Sequence, residues 1–285
     1  MSHNTSSASR RITRVVRGMP ASDGAGVRLT RIIGTPELDA VDPFLMLDEF
    51  RSDQADDYLA GFPEHPHRGF ETVTYMLAGR MRHRDNQGNS GLLGPGSVQW
   101  MTAGRGIVHS EMPEQADGLM WGFQLWVNLP AAEKMTTPRY LDIAAERIAA
   151  VTPAPGVTVR VIAGRVDDAE GPVRGVVTDP VYFDVAFEPG AQWCASVPDG
   201  HAGFVYVFDG AMEVAADDGA RSVSRGELGV LSDGADVALA SRGGGRCLLV
   251  AGRPLGEPVA RHGPFVMNTR DELIQAVEDY QAGRF

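Results

Sequence analysis

Cysteine is nearly absent. The 285-residue chain holds two, Cys194 and Cys247, too few for a disulfide framework or a Cys-rich zinc site. Long apolar runs are missing too: none approaches the roughly 18–20 residues that cross a bilayer as a helix. The opening segment, MSHNTSSASRRITRVV, lacks the apolar core of a secretory signal. Residues 1–12 read as a flexible polar tail, and the expected address is the cytoplasm. Basic charge is in deficit, with Lys and Arg at 26 against 37 Asp and Glu, for a net charge of −11. Such a surface repels phosphates, which argues against direct nucleic-acid binding and favours a small-molecule substrate or a protein partner. Aromatics make up only 7%, whereas Gly (34) and Pro (18) are abundant. That balance suits short strands joined by tight turns, an all-β chain rather than a helical bundle.

The strand signal is strongest at Glu71–Gly79, a β-branched and aromatic run ending in a turn glycine. A second run, Phe204–Met212, resembles it. Tyr75 and Tyr206, Gly79 and Gly210, and Met81 and Met212 all keep an offset of 131. The next turn glycines, Gly96 and Gly226, precede apolar strands at an offset of 130. A repeat of that length is a duplicated domain, not a solenoid. Each copy is expected to be a double-sheet jelly roll, an architecture that avoids long exposed strand edges. The linker is placed at residues 130–155, with a short helix near Leu129–Met135. The expected division is therefore 13–135 and 136–285. At the C-terminus, Thr269-Arg-Asp-Glu272 has the form of a capping box. Leu273, Ile274, Val277 and Tyr280 follow at helical spacing, and Gly283 is a stop signal. A helix over about 270–282, docked by this apolar face, is expected.

The chemistry sits in His65-Pro-His67 and His109-Ser-Glu111. Residues two apart on a strand project to one face, so each pair can grip one ion. Three imidazoles and a carboxylate suit a mid-row divalent metal and leave coordination positions open, as a catalytic centre requires. Glu71 follows His67 by four residues and shares its parity, so parity alone does not choose between Glu71 and Glu111. Carried forward by the repeat offset, the ligand positions become Ser196, Pro198, Leu239 and Ser241, none of them a metal ligand. The second copy is expected to be metal-free, with His201 a structural histidine.

Gly61-Phe-Pro-Glu-His-Pro-His-Arg-Gly-Phe-Glu-Thr-Val73 and Trp100-Met-Thr-Ala-Gly-Arg-Gly-Ile-Val-His-Ser-Glu-Met112 resemble the two cupin motifs in their pirin version. Leu125–Leu129, Glu133–Met135 and His262–Thr269 are similar to pirin as well. The likeness runs from about residue 12 to the end. It implies two tandem cupin barrels, a metal-binding one over 13–135 and a metal-free one over 136–285 carrying the short C-terminal α-helix. It also implies one divalent ion per chain, Fe(II) first, with nickel, manganese, zinc or copper as alternatives. The ligands it implies are His65, His67, His109 and Glu111.

The activity implied is that of a quercetin 2,3-dioxygenase, which opens the flavonol heterocycle with dioxygen and releases carbon monoxide. Glu111 is the first candidate for taking the 3-hydroxyl proton and Glu71 the second. Met76, Trp100, Met101, Phe123 and Trp126 are candidates for the wall of the substrate pocket, with His83 a substrate contact. The alternative implied by the family is a metal- or redox-sensitive regulatory protein, either a transcriptional cofactor or a modulator of a metabolic enzyme. The chain is expected to be a monomer.

Overall fold

The computed structural model describes residues 9–216 and 219–285. Regular structure is overwhelmingly antiparallel strand, with one α-helix among the described residues, Arg270–Gln281. No helix there is long and apolar enough to cross a membrane.

Two compact units form, and each is discontinuous in sequence. The histidine-bearing unit takes Met19–Arg147 and Leu255–Phe285. Its seven-stranded sheet runs in the order Arg139–Ile143, Val98–Thr102, Phe70–Ala78, Met120–Asn128, Phe44–Ser52, Val27–Ile33, Met19–Asp23. A four-stranded sheet, Phe62–His67, Ile107–Pro113, Met81–Asp85, Ser90–Leu93, completes the double layer. Val27, Phe50, Met76 and Met120 from the larger sheet pack with Met81 and Leu93 from the smaller. The other unit takes the chain up to Gly18 together with Ile148–Pro254. Its strands enclose one apolar core that includes Ile12, Val207, Met212 and Leu239.

These units differ from the expected division at 135/136 in where they assign the two chain ends. The strand Ile12–Arg17 pairs with Glu227–Leu231. The C-terminal hairpin, Ala260–His262 with Phe265–Met267, is stitched to Arg68, which donates N–H to Pro264 and accepts from Val266. A strand signal shows that a strand forms, not which sheet edge it completes. The supposed linker is likewise structured. Arg139–Ile143 pairs with Val98–Thr102, Ala149–Ala154 pairs with Val157–Ala163, and only a 3₁₀ turn, Ala131–Glu133, stands where a short helix was expected.

Residues 1–8 of the expected tail lie outside the described residues. From Ser9 on, the tail reading is wrong. Ser9 bridges to Asp236, and Arg10 is fully buried, its guanidinium donating to the carbonyls of His201, Ser232 and Pro198. Three carbonyl acceptors compensate the desolvation of the cation.

The repeat is visible in the backbone. Gly79 and Gly210 have φ of +81° and +64°, and Gly96 and Gly226 have φ of +80° and +81°. That left-handed region favours glycine, which explains why these four landmarks stand out in the sequence. In the second copy a single strand, Ala202–Ala216, runs through Gly210 and covers what two strands do in the first.

The C-terminal capping box forms as expected, with Thr269 Oγ1 accepting from the Glu272 amide and Glu272 Oε2 accepting from the Thr269 amide. The expected apolar face packs only in part. Ala276 is the buried centre, while Ile274 and Tyr280 are exposed. The helix lies on the Phe265 hairpin and the chain end, where Tyr280 meets the rings of Phe265 and Phe285.

Candidate metal centre

Strands Phe62–His67 and Ile107–Pro113 are antiparallel neighbours, with His65 directly opposite His109. The ligand nitrogens of His65, His67 and His109 all lie within 4.8 Å of one another. His67 and His109 are buried and His65 is half-buried. The His65 Nδ1 sits 2.7 Å from the Pro63 carbonyl, which can only accept, so Nδ1 donates there and Nε2 is the nitrogen turned to the other imidazoles. That Nε2 is 3.0 Å from the His67 Nε2. Neither ring nitrogen of His109 has a hydrogen-bond partner among the described residues, nor does His67 Nδ1. Burial first, and the neighbouring imidazoles second, drive the pKa of His67 and of His109 well below the ordinary histidine value. The rings are thus neutral, the state in which imidazole ligates metal. Three converging imidazoles, with buried nitrogens that lack hydrogen-bond partners, fit one divalent ion.

Glu111 is two residues beyond His109 but is not part of that 4.8 Å group. A register shift against Phe62–His67 falls between His109 and Glu111. The carboxylate is 2% exposed; Thr74 Oγ1 donates to its Oε1 at 2.9 Å, and Gln124 Nε2 approaches its Oε2 at 3.4 Å. Glu71 is placed elsewhere. It accepts from Thr102 Oγ1 at 2.6 Å, and burial raises its pKa. In register, Glu71 pairs with Thr102 and Val127, whereas Thr74, which reaches Glu111, has the opposite parity on the same strand. The parity argument linking Glu71 to His67 fails because the two lie on different strands. Gly69, with φ of +88°, turns the chain between them. A side chain at Gly69 would also sit 1.9 Å from the Val266 carbonyl, so the turn admits only glycine.

A cavity of about 560 Å³ opens over His65, His67 and Glu111. Leu29, Met46, Phe50 and Phe62 supply apolar wall, Gln124 and Trp126 the side nearest the histidines. Of the pocket residues expected from sequence, Trp126 lines this cavity, edge-on to His67 at 5.3 Å between ring centroids. The other candidates are placed outside its lining. Met76 belongs to the core with Phe50 and Met120, and Met101 packs with Ala103 and Ile107. Trp100 and Phe123 share the parity of Glu71, on the opposite and equally buried face of the large sheet. His83 is fully buried across from Glu111, its ring tilted against Tyr140 at 4.3 Å between centroids, with neither ring nitrogen bonded among the described residues. Sequence reasoning missed Arg31 and Asp48, and also Arg261 and Pro264 from the terminal hairpin, all of which line the cavity. The only signal there was the similarity of His262–Thr269 to pirin, which carries no role by itself.

At the positions equivalent to the ligands, Leu239 joins the apolar core of the second unit, and Ser241 is buried with its hydroxyl donating to the Ala211 carbonyl. His201 is buried and bonds the Asp179 carbonyl through Nε2.

Two antiparallel double-sheet units, one presenting a three-histidine cluster at the floor of a cavity, define a bicupin with a metal-type centre. The Pirin family model matches residues 26–127, and the model of the pirin C-terminal cupin domain matches residues 182–285. A pirin-like protein of Caulobacter vibrioides is 53% identical over 277 residues, which cover 97% of this chain and 99% of that one. Pirin of Homo sapiens is 42% identical over 283 residues, 96% of this chain and 93% of that one. The crystal structure of a quercetin 2,3-dioxygenase from Acinetobacter baumannii has a TM-score of 0.89 at 32% identity, covering 98% of this chain and 99% of that one. The chain belongs to the pirin family.

Proposed function

We propose that the protein is a metal-dependent dioxygenase of the quercetin 2,3-dioxygenase type, acting on a flavonol-like aromatic substrate. The observation that carries this reading is the convergence of three imidazoles, those of His65 and His67 lining an apolar-walled cavity. His65, His67 and His109 would hold the ion, with Glu111 as the fourth ligand, and Fe(II) is the ion of choice. When bound, such an ion supplies Lewis acidity that lowers the pKa of a substrate hydroxyl. Glu111 faces the cavity and is the group suited to take that proton. Thr74 and Gln124 fix the orientation of its two oxygens. Glu71, bonded to Thr102 on the other sheet face, serves the strand rather than the proton transfer. The Trp126 ring, edge-on to His67, braces that imidazole at the cavity wall. The volume of about 560 Å³ is in the range of sites for small aromatic ligands. The catalytic unit is the one built from Met19–Arg147 and Leu255–Phe285.

The test supplies quercetin and its 3-deoxy analogue to protein loaded stoichiometrically with Fe(II) and follows oxygen uptake and carbon monoxide. Uptake with quercetin alone is expected, because only the 3-hydroxyl can be ionised at the position the chemistry requires. Equal uptake with both analogues refutes the flavonolate route. No uptake with either replaces the enzyme reading by that of a metal-sensing binding protein.

A further inference from the structure

The cavity contains two arginines with different circumstances. Arg31 is fully engaged: its Nε and one terminal nitrogen meet Asp48 at 2.9 and 2.7 Å, and the same terminal nitrogen meets Asp23 at 2.8 Å. One guanidinium thus serves both cavity aspartates. Arg261 has no such partner among the described residues. Its polar contacts are the Leu45 carbonyl at 3.4 Å and the Met46 sulfur at 4.0 Å, both marginal for a guanidinium with five N–H donors.

Arg261 nonetheless has a defined position. Its guanidinium lies 4.8 Å from the centroid of the Trp126 ring, a cation–π contact that holds the planar fork against the cavity wall. Burial, and then repulsion from Arg31, draw its pKa down from the usual arginine value against the opposing pull of Asp39, Asp48 and Asp23. Trp126 in turn touches His67 at 5.3 Å. Arg261 and the imidazole cluster therefore flank one indole, with at most about 10 Å between the guanidinium and the His67 ring.

We propose that Arg261 is a specificity-determining residue that selects aromatic substrates carrying a carboxylate, or a comparable anion, at the end remote from the metal-ligating oxygens. A planar fork of donors matches a carboxylate bidentately, which an ammonium or a water-filled rim does not. The aromatic body of the ligand lies along Trp126, one end at the histidines and the anionic end at Arg261. Glu64, exposed on the cavity lining, disfavours anions placed elsewhere on the rim. This deepens the proposed function and rests on its placement of the metal-ligating end at His65, His67 and His109.

The probes are 3,4-dihydroxybenzoate and 3,4-dihydroxybenzamide, whose catechol oxygens are identical and whose remote ends differ only in charge. Calorimetric titration of the metal-loaded protein under argon measures affinity without turnover. The acid is expected to bind about tenfold tighter than the amide, the size of one charge-assisted contact. The R261Q protein should lose that preference, binding acid and amide equally, and R261K should keep only part of it. Equal binding of acid and amide to the native protein overturns the role of Arg261 and leaves the metal-centred site standing. Failure of both to bind overturns the site reading and the selectivity together. A preference that survives in R261Q places anion recognition elsewhere and likewise overturns the proposal.

Discussion

Removing the Asp279 carboxylate should destabilise the histidine-bearing unit far more than a surface charge deletion would. Asp279 lies on the C-terminal helix and accepts from Arg68 at 2.7 Å, from Arg284 at 2.7 Å and from Gln275 at 2.8 Å. Arg68 follows His67 directly, and its side chain is only 4% exposed. It also donates to the Arg105 carbonyl at 2.5 Å and stacks on the Phe285 ring at 4.3 Å. Asp279→Ala leaves that guanidinium buried without a counter-charge, a situation that costs about 3–5 kcal/mol. The Asp279 side chain is 15% exposed, so water relieves part of the loss and the low end, about 3 kcal/mol, applies. At roughly 2–4 °C per kcal/mol for a unit of this size, the melting transition falls by about 6–12 °C. The reverse deletion is milder. In Arg68→Met the carboxylate keeps Arg284 and Gln275 and reaches water, so about 2 kcal/mol is expected. The double variant R68M/D279A buries no unpaired charge and should cost at least about 1 kcal/mol less than the sum of the two single changes. Arg68 first, then Arg284, hold the Asp279 carboxyl below the ordinary carboxylate range. Its stabilisation is therefore present above the unfolded pKa and is lost as pH falls towards the folded one. Scanning calorimetry of the four proteins decides the matter. Additive single effects, or D279A melting within a degree of the native protein, would refute the reasoning.

His67→Ala should abolish stoichiometric metal binding and oxygen uptake while circular dichroism stays native, because an apolar core independent of the ion holds the unit together; an unfolded variant would identify a structural ion instead. Glu111→Gln keeps an acceptor for Thr74 but cannot take a proton, so turnover should fall by about 10²–10⁴ while metal affinity, read by competitive chelation, falls by no more than about 10–100-fold. Lys134 is buried, its ammonium donating to the Gly69 and Val266 carbonyls and to Asn128, and burial lowers its pKa from 10.5 to about 8. The unfolded chain binds this proton more tightly, so stability should rise between about pH 8 and 10.5, by roughly 2–4 kcal/mol on order of magnitude. Denaturant titrations across that range should show the rise in the native protein and its loss in Lys134→Met.

How far the site was legible in the sequence depended on whether a relation was local. His65 and His67, and His109 and Glu111, are each two apart on one strand, and strand geometry alone aims each pair at one face. That the two strands are neighbours needed only a barrel. Glu71 misled because parity was carried through Gly69, whose left-handed turn resets it. The pocket wall was not legible for a related reason. Trp126 and Phe123 are both large aromatics on one strand, and only the pairing of Trp126 with Thr72 and Met46, and of Phe123 with Tyr75 and Glu49, tells which face each takes. The register that settles this lies in three strands far apart in sequence.

The two barrels also show why the duplication was easier to detect than its consequences. What the copies share is what the backbone demands: glycines at +80° and +81° before one strand, and at +81° and +64° where the preceding strand ends in one copy and continues in the other. Replacing those residues strains the chain in either copy, whatever the copy does. The inward positions carry no such constraint. Where the first copy has His109, the second has Leu239 in its apolar core; where the first has Glu111, the second has Ser241 bonded to a backbone carbonyl. Both substitutions satisfy the interior without an ion, one by burial and one by a hydrogen bond. In the first copy the same positions leave imidazole nitrogens without partners, which a folded interior tolerates only at a cost. One frame thus supports two interiors, and the imidazole nitrogens without hydrogen-bond partners distinguish the first from the second.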